Sequence, residues 1–247
     1  MSEIDLPADH PRYASLLTRH RIEDGVEKGI TSKQGLIAQG RGEAFDYLLG
    51  EQTIPSADRA ERAAAAQLLL ADHPVLSVNG NVAALVAPEI VALAAAVDAD
   101  IEVNLFNRTE ERMEAIAAHL REHGADAVKG LTADGRIPNL SHERAKVDAD
   151  GIGAADVVVV PLEDGDRAEA LADLDKTEIV IDLNPLSRSA QTAAIPIVDN
   201  IIRAVPTMTE HAEELQGSAS ETLHTIVDQF AASDALTAAE EAIRTGV

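Results

Sequence analysis

Short aliphatic runs alternate with helix-like patterns from about residue 73 onward. Four such runs predict strands: 75–78, 101–106, 156–160 and 178–183. The four consecutive valines at 157–160 are typical of a strand that is covered on both faces. A further extended segment, 193–198, contains Pro196, which predicts an edge strand because proline cannot donate a hydrogen bond to a neighbouring strand.

The segments between these runs follow the period of an α-helix. One buried face is predicted from apolar residues at i, i+3, i+4 and i+7: Met113, Ile116, Ala117 and Leu120. Thr109 is placed to cap the start of this helix, and Gly124 to end it. Strands alternating with helices predict an α/β fold, a Rossmann-like, mostly parallel, doubly wound sheet.

The chain divides into three predicted regions. Residues 1–72 form a helical N-terminal segment that contributes to the active site, 73–209 form the α/β core, and 210–247 return to helix. Three helices are predicted in the first region, near 16–26, 44–49 and 57–70. Ser56 is the expected N-cap of the third. The polar, Ala-rich C-terminal region is suited to packing on a second subunit.

The balance of acidic and basic residues limits which partners the protein can bind. The 247 residues include 43 acidic and 20 basic side chains, for a net charge of −23. Such a surface repels nucleic acids and anionic membranes. It suits a cytosol of very high salt, where screening makes dense acidic charge tolerable, although an ordinary acidic protein is the simpler alternative.

Other classes of protein are excluded by what the chain lacks. There is no cysteine, which excludes disulfides, thiolate chemistry and Cys-ligated zinc. The most apolar stretch, 82–97, is interrupted by Pro88 and Glu89, so we do not expect it to span a membrane. Residues 1–13 have neither a basic start nor an apolar run, and we expect no signal peptide and a cytoplasmic location.

Polar residues follow each predicted strand, at the sheet edge where open α/β folds bind ligands. After the first strand, Gly80 permits an unusual turn whose amides could face an anion, or Asn79-Gly80-Asn81 is a plain strand-to-helix turn. After the second, Arg108 could pair with a phosphate, as in an NADP-dependent oxidoreductase, or remain in solvent.

The third and fourth strands are followed by acidic and mixed segments. Glu163, Asp164 and Asp166 could hold Mg²⁺ or orient an amine, or form a solvated loop with Asp166 as an N-cap. The segment 182–189 combines a carboxylate, an amide, hydroxyls and a guanidinium. That combination suits a nucleotide, with Asp182 toward sugar or base and Arg188 toward phosphate; an Asx-Pro turn into a capped helix is the alternative.

Basic residues are gathered near the N-terminus, and in an acidic chain this predicts anionic ligands. Arg19 and Arg21 flank His20, and Lys33 precedes Arg41. Gly40 and Gly42 around Arg41 would let the backbone approach a ligand while the guanidinium reaches a phosphate; surface pairs formed by Arg41 and Glu43 are the alternative.

These motifs together resemble the archaeal 4-phosphopantoate–β-alanine ligase (phosphopantothenate synthetase) family. The similarity runs from about residue 10 to 206 and is carried by eight stretches: 10–13, 27–51, 77–86, 101–125, 143–148, 155–171, 181–193 and 198–206. It implies a Rossmann-like homodimer that uses ATP to join 4-phosphopantoate to β-alanine through an acyl-adenylate. AMP and pyrophosphate are released, with Mg²⁺ assisting.

The resemblance also implies site residues. ATP contacts carry over onto Arg19, Arg41, Asp182, Leu183, Asn184, Arg188, Ser189, Asp199 and Asn200. Lys33, Asn81 and Arg108 are expected to bind 4-phosphopantoate, and Arg19, Arg41 and Lys33 to act in catalysis by neutralising phosphates. No metal ligand is assigned. Glu163 and Asp164 are the candidates for the base that deprotonates the amine.

Two other functions fit the residues taken without the resemblance. One is a Rossmann-type NADP-dependent oxidoreductase that uses Arg108, although no glycine fingerprint precedes it. The other is a non-catalytic nucleotide-binding subunit, in which the same pockets bind without turnover.

Overall fold

A five-stranded parallel sheet forms the centre of the fold in the computed structural model, which describes residues 13–161 and 165–246. The strands are β1 Pro74–Val78, β2 Asp100–Val103, β3 Gly135–Arg136, β4 Lys146–Val147, β5 Val157–Pro161, β6 Thr177–Ile181 and β7 Ile195–Ile197. The order is β2-β1-β5-β6-β7, and β3 pairs with β4 in a small antiparallel ribbon. The predicted doubly wound α/β sheet is confirmed.

Helices cover both faces of the sheet. They are α1 Tyr13–Glu27, α2 Lys33–Leu48, α3 Pro55–Leu70, α4 Gly80–Val97, α5 Glu110–Glu122, α6 Gly165–Ala172, α7 Arg188–Thr192, α8 Ile201–Leu215, α9 Ser220–Asp228 and α10 Ala232–Thr245, with a 3₁₀ turn at Glu143–Ala145. The strand order reverses between β1 and β5, which opens a crevice at the carboxyl ends of these strands.

Local signals fix several element ends. Thr109 accepts from the Arg112 amide at 3.3 Å and caps α5 as predicted, and Gly124 follows this helix with φ +100°. Pro196 lies in the edge strand β7, also as predicted. The prediction that Ser56 caps α3 is wrong: Ile54 is the N-cap and Pro55 takes the first helical position, where its missing N–H costs nothing.

The largest correction concerns the glycines at the N-terminus. The helix predicted near 44–49 is longer than expected, because α2 begins at Lys33 and continues through Gly40 and Gly42. Packing of α2 against α1 and α4 offsets their low helix propensity. Gly80 has no positive φ; it is required because a Cβ there would collide with the carbonyl oxygen of Ile30.

Helix α4 is long and apolar enough to cross a membrane by length and composition, with a mean hydropathy of 1.8. Its side chains lie in the core instead, where α4 packs against α1, α5, α8 and β1. Pro88 cannot donate to the preceding turn, and α4 kinks at Val86. Arg21 donates to the Leu85 carbonyl at 2.7 Å and so satisfies a backbone acceptor at the kink.

One apolar cluster runs through all three predicted regions. It joins Ile22 and Ala64 of the N-terminal segment to Val159 of the sheet and Leu223 of the C-terminal helices. Helices α8, α9 and α10 all pack on α3 of the same chain. The division at residues 72 and 209 therefore stays a prediction about function rather than a boundary between separate cores.

Candidate active site

A cavity of about 510 Å³ opens at the carboxyl end of the sheet. Its walls come from α2, from the segment after β6, and from the starts of α7 and α8. The site residues predicted from the sequence that line it are Arg41, Asn81, Asp182, Leu183, Asn184, Arg188, Ser189 and Asn200. The fold thus brings together segments that lie more than 150 residues apart in the chain.

The segment after β6 is both a capped turn and a cavity wall. Asp182 accepts from the Asn184 amide at 2.9 Å, and Asn184 accepts from the Leu186 amide at 3.0 Å. Ser187 accepts from the Ala190 amide and caps α7. Burial raises the pKa of Asp182, while hydrogen bonds from Ser187 and the Asn184 amide and the charge of Arg41 oppose the shift.

Two of the arginines that line this cavity differ in whether they form ion pairs with the protein. Arg41 extends from α2 and forms no hydrogen bond or ion pair with any residue that the structure describes, so its guanidinium is available for a ligand. Arg188 forms ion pairs with Asp166 at 2.6 Å and Glu169 at 3.5 Å. Its side chain lies against Gly165. A Cβ added at this glycine would be only 2.7 Å from the Cβ of Arg188.

Four predicted residues do not line the cavity. Arg19 pairs with Glu43 at 2.7 Å, and Lys33 is exposed in the first turn of α2. The Arg108 guanidinium donates to the Gly130 carbonyl at 2.5 Å, across a loop rather than into the site. Asp199 lies buried behind Asn200.

A network of charged side chains lies beneath the cavity. Asp46 of α2 accepts from Arg203 at 2.6 Å and from the Asn200 carboxamide at 2.7 Å. Asp199 accepts from Arg203 Nε at 2.9 Å and from Thr53 at 2.6 Å. These bonds tie α2, which carries Arg41, to the start of α8, which carries Asn200, and fix the cavity walls relative to each other.

Glu61 of α3 lies against this network and is fully buried. Burial raises the pKa of its carboxyl group to about 9, and the charges of Asp199 and Asp58 add to the shift. Glu61 is therefore protonated at neutral pH. A third carboxylate charge beside Asp46 and Asp199 would otherwise be opposed only by Arg203.

A second cavity of about 190 Å³ adjoins the first. Four residues line both: Ala38, Asn81, Phe106 and Arg144. The rest of its wall includes the first residues of α2 and α4 and the side chain of Arg112. Asn81 donates to the Gly35 carbonyl at 3.0 Å and contacts the Thr31 hydroxyl, which fixes its carboxamide between the two helix starts.

Sequence reasoning did not single out Phe106, Arg112 or Arg144. Arg112 lies within the predicted helix α5, where the sequence pattern drew attention only to the cap Thr109, which accepts from the Arg112 amide. Arg144 lies in the stretch 143–148, which supports the resemblance but follows no predicted strand. His142, beside it, has its ring centroid 5.2 Å from that of Phe106.

The residues described by the structure contain no group of three acidic, histidine or cysteine side chains that could hold a metal ion. Asp166, one of the predicted acidic residues after β5, lies in the first turn of α6 and pairs with Arg188. Glu163 and Asp164 lie outside the described residues.

Taken together, a parallel α/β sheet, a polar cavity at the carboxyl ends of its strands and arginines on that cavity define a protein that binds nucleotides or phosphorylated ligands. The family model described as phosphopantothenate/pantothenate synthetase matches residues 56–246. The chain belongs to this family.

Curated relatives agree with this assignment. The chain is 57% identical to a protein of Thermococcus kodakarensis over 92% of its own length and 87% of the relative's. It is 51% identical to a protein of Methanosarcina mazei over 98% of its own length and 96% of the relative's. Both relatives are named 4-phosphopantoate–beta-alanine ligase.

Proposed function

We propose that this chain is an ATP-dependent ligase of coenzyme A biosynthesis that joins 4-phosphopantoate to β-alanine. The products are 4-phosphopantothenate, AMP and pyrophosphate. The name shared by its relatives, which match most of the chain, carries this proposal. The cavity lined by Arg41, Asp182 and Asn200 supports it, because it offers a cation for phosphates and polar groups for a nucleoside.

ATP binds in the larger cavity in this proposal. Arg41 and Arg188 face the phosphates, and Asp182, Asn184 and Asn200 face the sugar and base. The carboxylate of 4-phosphopantoate attacks the α-phosphorus, and pyrophosphate leaves as the acyl-adenylate forms. The amine of β-alanine then attacks the activated carbonyl and releases AMP. Arginines held in place before the reaction stabilise the charge that develops at the phosphates.

Mg²⁺ is the proposed metal; bound together with ATP, it would supply positive charge at the phosphates. This ion is commonly held by one or two carboxylates together with substrate phosphates, so a dedicated protein cage is not required. No described residue is assigned as its ligand, because Asp182, the carboxylate on the larger cavity, faces the nucleoside in this proposal.

The oxidoreductase alternative is not favoured. It requires Arg108 to read a phosphate, but this guanidinium donates to the carbonyls of Gly130 and Leu131. Arg108 therefore has no part in the proposed site. A non-catalytic subunit differs from a ligase only in turnover, and this is what the first experiment measures.

We further propose a homodimer formed through the outer face of α2. The side chains of Ile37 and Tyr47 are 73% and 75% exposed, and Leu36 and Leu48 extend the same apolar face. Exposed apolar surface of this kind marks association sites. The C-terminal helices, which the sequence suggested for this contact, pack on α3 instead. Ile37→Asp should halve the mass measured by light scattering; a wild-type mass would contradict this surface.

A cytoplasmic location and adaptation to high salt complete the proposal. The net charge of −23 supports the adaptation to salt, and the ATP-dependent reaction proposed above suits the cytoplasm.

The function is tested by pyrophosphate release in molar KCl with MgATP, 4-phosphopantoate and β-alanine, omitting each in turn. Formation of 4-phosphopantothenate that requires all three substrates supports the ligase. ATP binding without turnover would indicate the non-catalytic subunit, and the ligase proposal would fail.

A further inference from the structure

We infer that the smaller cavity binds the phosphate of 4-phosphopantoate between Arg112 and Arg144. The carboxylate end of the same substrate then lies at the wall shared with the larger cavity, beside Asn81. This inference rests on the proposed function. It assigns the phosphate-reading role to Arg112 and Arg144 in place of Arg108.

Arg112 has the features expected of a side chain that binds an anionic ligand. Its guanidinium donates to the carbonyls of Asn107 at 2.7 Å and Ile30 at 3.3 Å, which fix its orientation. Its Nε is buried without a hydrogen-bond partner. Burial lowers the pKa of Arg112, and no carboxylate in the described part of the chain forms an ion pair with it.

Arg112 has no acidic ion-pair partner in the described part of the chain, a property that it shares with Arg41. The chain carries 43 acidic residues, and Arg19, Arg62, Arg188, Arg203 and Arg244 each form an ion pair. A half-buried guanidinium stays charged, so an environment without an acidic partner suits an anionic ligand.

Arg144 supplies a second cation at the junction of the two cavities. It is only 8% exposed and lines both. Its backbone is held because the Asn104 carboxamide donates to the carbonyls of Arg144 at 3.2 Å and Lys146 at 3.0 Å. A buried arginine between the cavities can contact the substrate phosphate on one side and the reacting groups on the other.

The rest of the wall is also favourable for a phosphate. Helices α2 and α4, of 16 and 18 residues, both begin at this cavity, and their first-turn amides carry partial positive charge. The Ser32 side chain forms no capping hydrogen bond with α2, and Ser32 lines this cavity. A volume of about 190 Å³ suits a phosphoryl group and the atoms next to it, whereas a nucleotide requires the larger cavity.

The distribution of ligands follows from the shared wall. With the substrate phosphate at Arg112 and ATP in the larger cavity, the carboxylate and the α-phosphorus meet beside Asn81 and Arg144. Unphosphorylated pantoate would leave Arg112 without this anion. The smaller cavity therefore selects the phosphorylated substrate.

The test is calorimetric binding of 4-phosphopantoate and, separately, of ATP to the full chain and to Arg112→Gln. Charge-assisted hydrogen bonds of this kind change affinity roughly 10- to 100-fold. We expect Arg112→Gln to weaken 4-phosphopantoate by that factor and ATP by less than roughly threefold. Arg112→Lys, which keeps the charge, should recover part of the loss and serves if the glutamine variant does not fold.

Arg108→Gln is the matched control, because Arg108 lies four residues away and outside both cavities. It should bind both ligands like the wild type. Wild-type affinity for 4-phosphopantoate in both Arg112 variants, or an equal loss of both ligands, would overturn the inference. If the wild-type chain fails to form 4-phosphopantothenate at all, the proposed function itself fails, which is a separate result.

Discussion

The two cavities differ in how the chain builds them. The larger one includes polar residues of the segment after β6, which are close together in sequence and follow a strand. The smaller one combines two helix starts with Arg112 on the side of α5 and Arg144 on a 3₁₀ turn. Polar residues gathered at one strand end are visible in a sequence, whereas residues that meet from several distant elements become visible only after folding.

The largest expected effect comes from breaking the larger cavity. Arg41→Ala should lower kcat/KM for ATP roughly 100- to 1,000-fold, because it removes an arginine of this cavity that forms no ion pair with any described residue. Pyrophosphate release measures the loss. Arg121→Ala, on the exposed side of α5, is the control. Near wild-type turnover in Arg41→Ala would remove this residue from the ATP site.

A second change loosens the connection between α2 and α8 without touching the cavity cations. Asp46→Asn removes the charge that binds Arg203 and positions Asn200. We expect KM for ATP to rise roughly tenfold while kcat changes little, because the effect acts on positioning. Asp58→Asn, at an exposed acid, should leave KM unchanged. Lost stability with an unchanged KM would make Asp46 purely structural.

The sequence predicted the architecture well because that signal is local. Aliphatic runs and helix periods predicted the five parallel strands, and the Thr109 cap and the edge position of Pro196 were also correct. The start of α2 was predicted too late, near residue 44, because tertiary packing overrode the low helix propensity of Gly40 and Gly42. Propensity acts over a few residues, whereas the contacts of α2 with α1 and α4 are long-range.

The residues of the candidate site also fall into two groups, those that the sequence predicted and those that it did not. Asp182, Asn184 and Arg188 could be read from their place after a strand, and the structure places all three on the larger cavity. Arg112 and Arg144 could not, because their role depends on which other elements fold around them. Arg108 had the expected position after β2, but its partners are carbonyls of a loop that the sequence does not predict to lie there.

A pH experiment tests only the buried network of charged side chains, which lies beneath the larger cavity. The pKa of Glu61 is about 9 in the folded protein, above the ordinary 4.5, so the folded state binds the proton more tightly than the unfolded chain. Its contribution to stability is complete below pH 4.5 and is lost as the pH rises toward 9. The slope for one such group is at most about 1.4 kcal/mol per pH unit.

Glu61→Gln should remove this part of the pH dependence. Urea unfolding between pH 6 and 8.5 would show a flatter profile for the variant, with its advantage over the wild type growing toward pH 8.5. Parallel curves for the two proteins would show that Glu61 does not titrate in this way.

The smallest expected effect is a change in the stability of the whole chain, which does not distinguish between the two cavities. If the acidic surface is an adaptation to salt, screening lowers the repulsion among the charges that give the net −23. Raising KCl from about 0.1 to 1 M should then increase Tm by roughly 2–4 °C, the shift that about 1 kcal/mol gives in a chain of this size. An unchanged or lower Tm would mean an ordinary acidic protein.

The central claim is that the pantoate carboxylate crosses the shared wall and attacks the α-phosphorus of ATP. The most direct measurement uses 4-phosphopantoate labelled with ¹⁸O in its carboxylate and follows the label by mass spectrometry. Attack at the α-phosphorus predicts one ¹⁸O atom in AMP and none in pyrophosphate. Label in a phosphate derived from the γ position, with unlabelled AMP, would contradict the proposed arrangement of the two cavities.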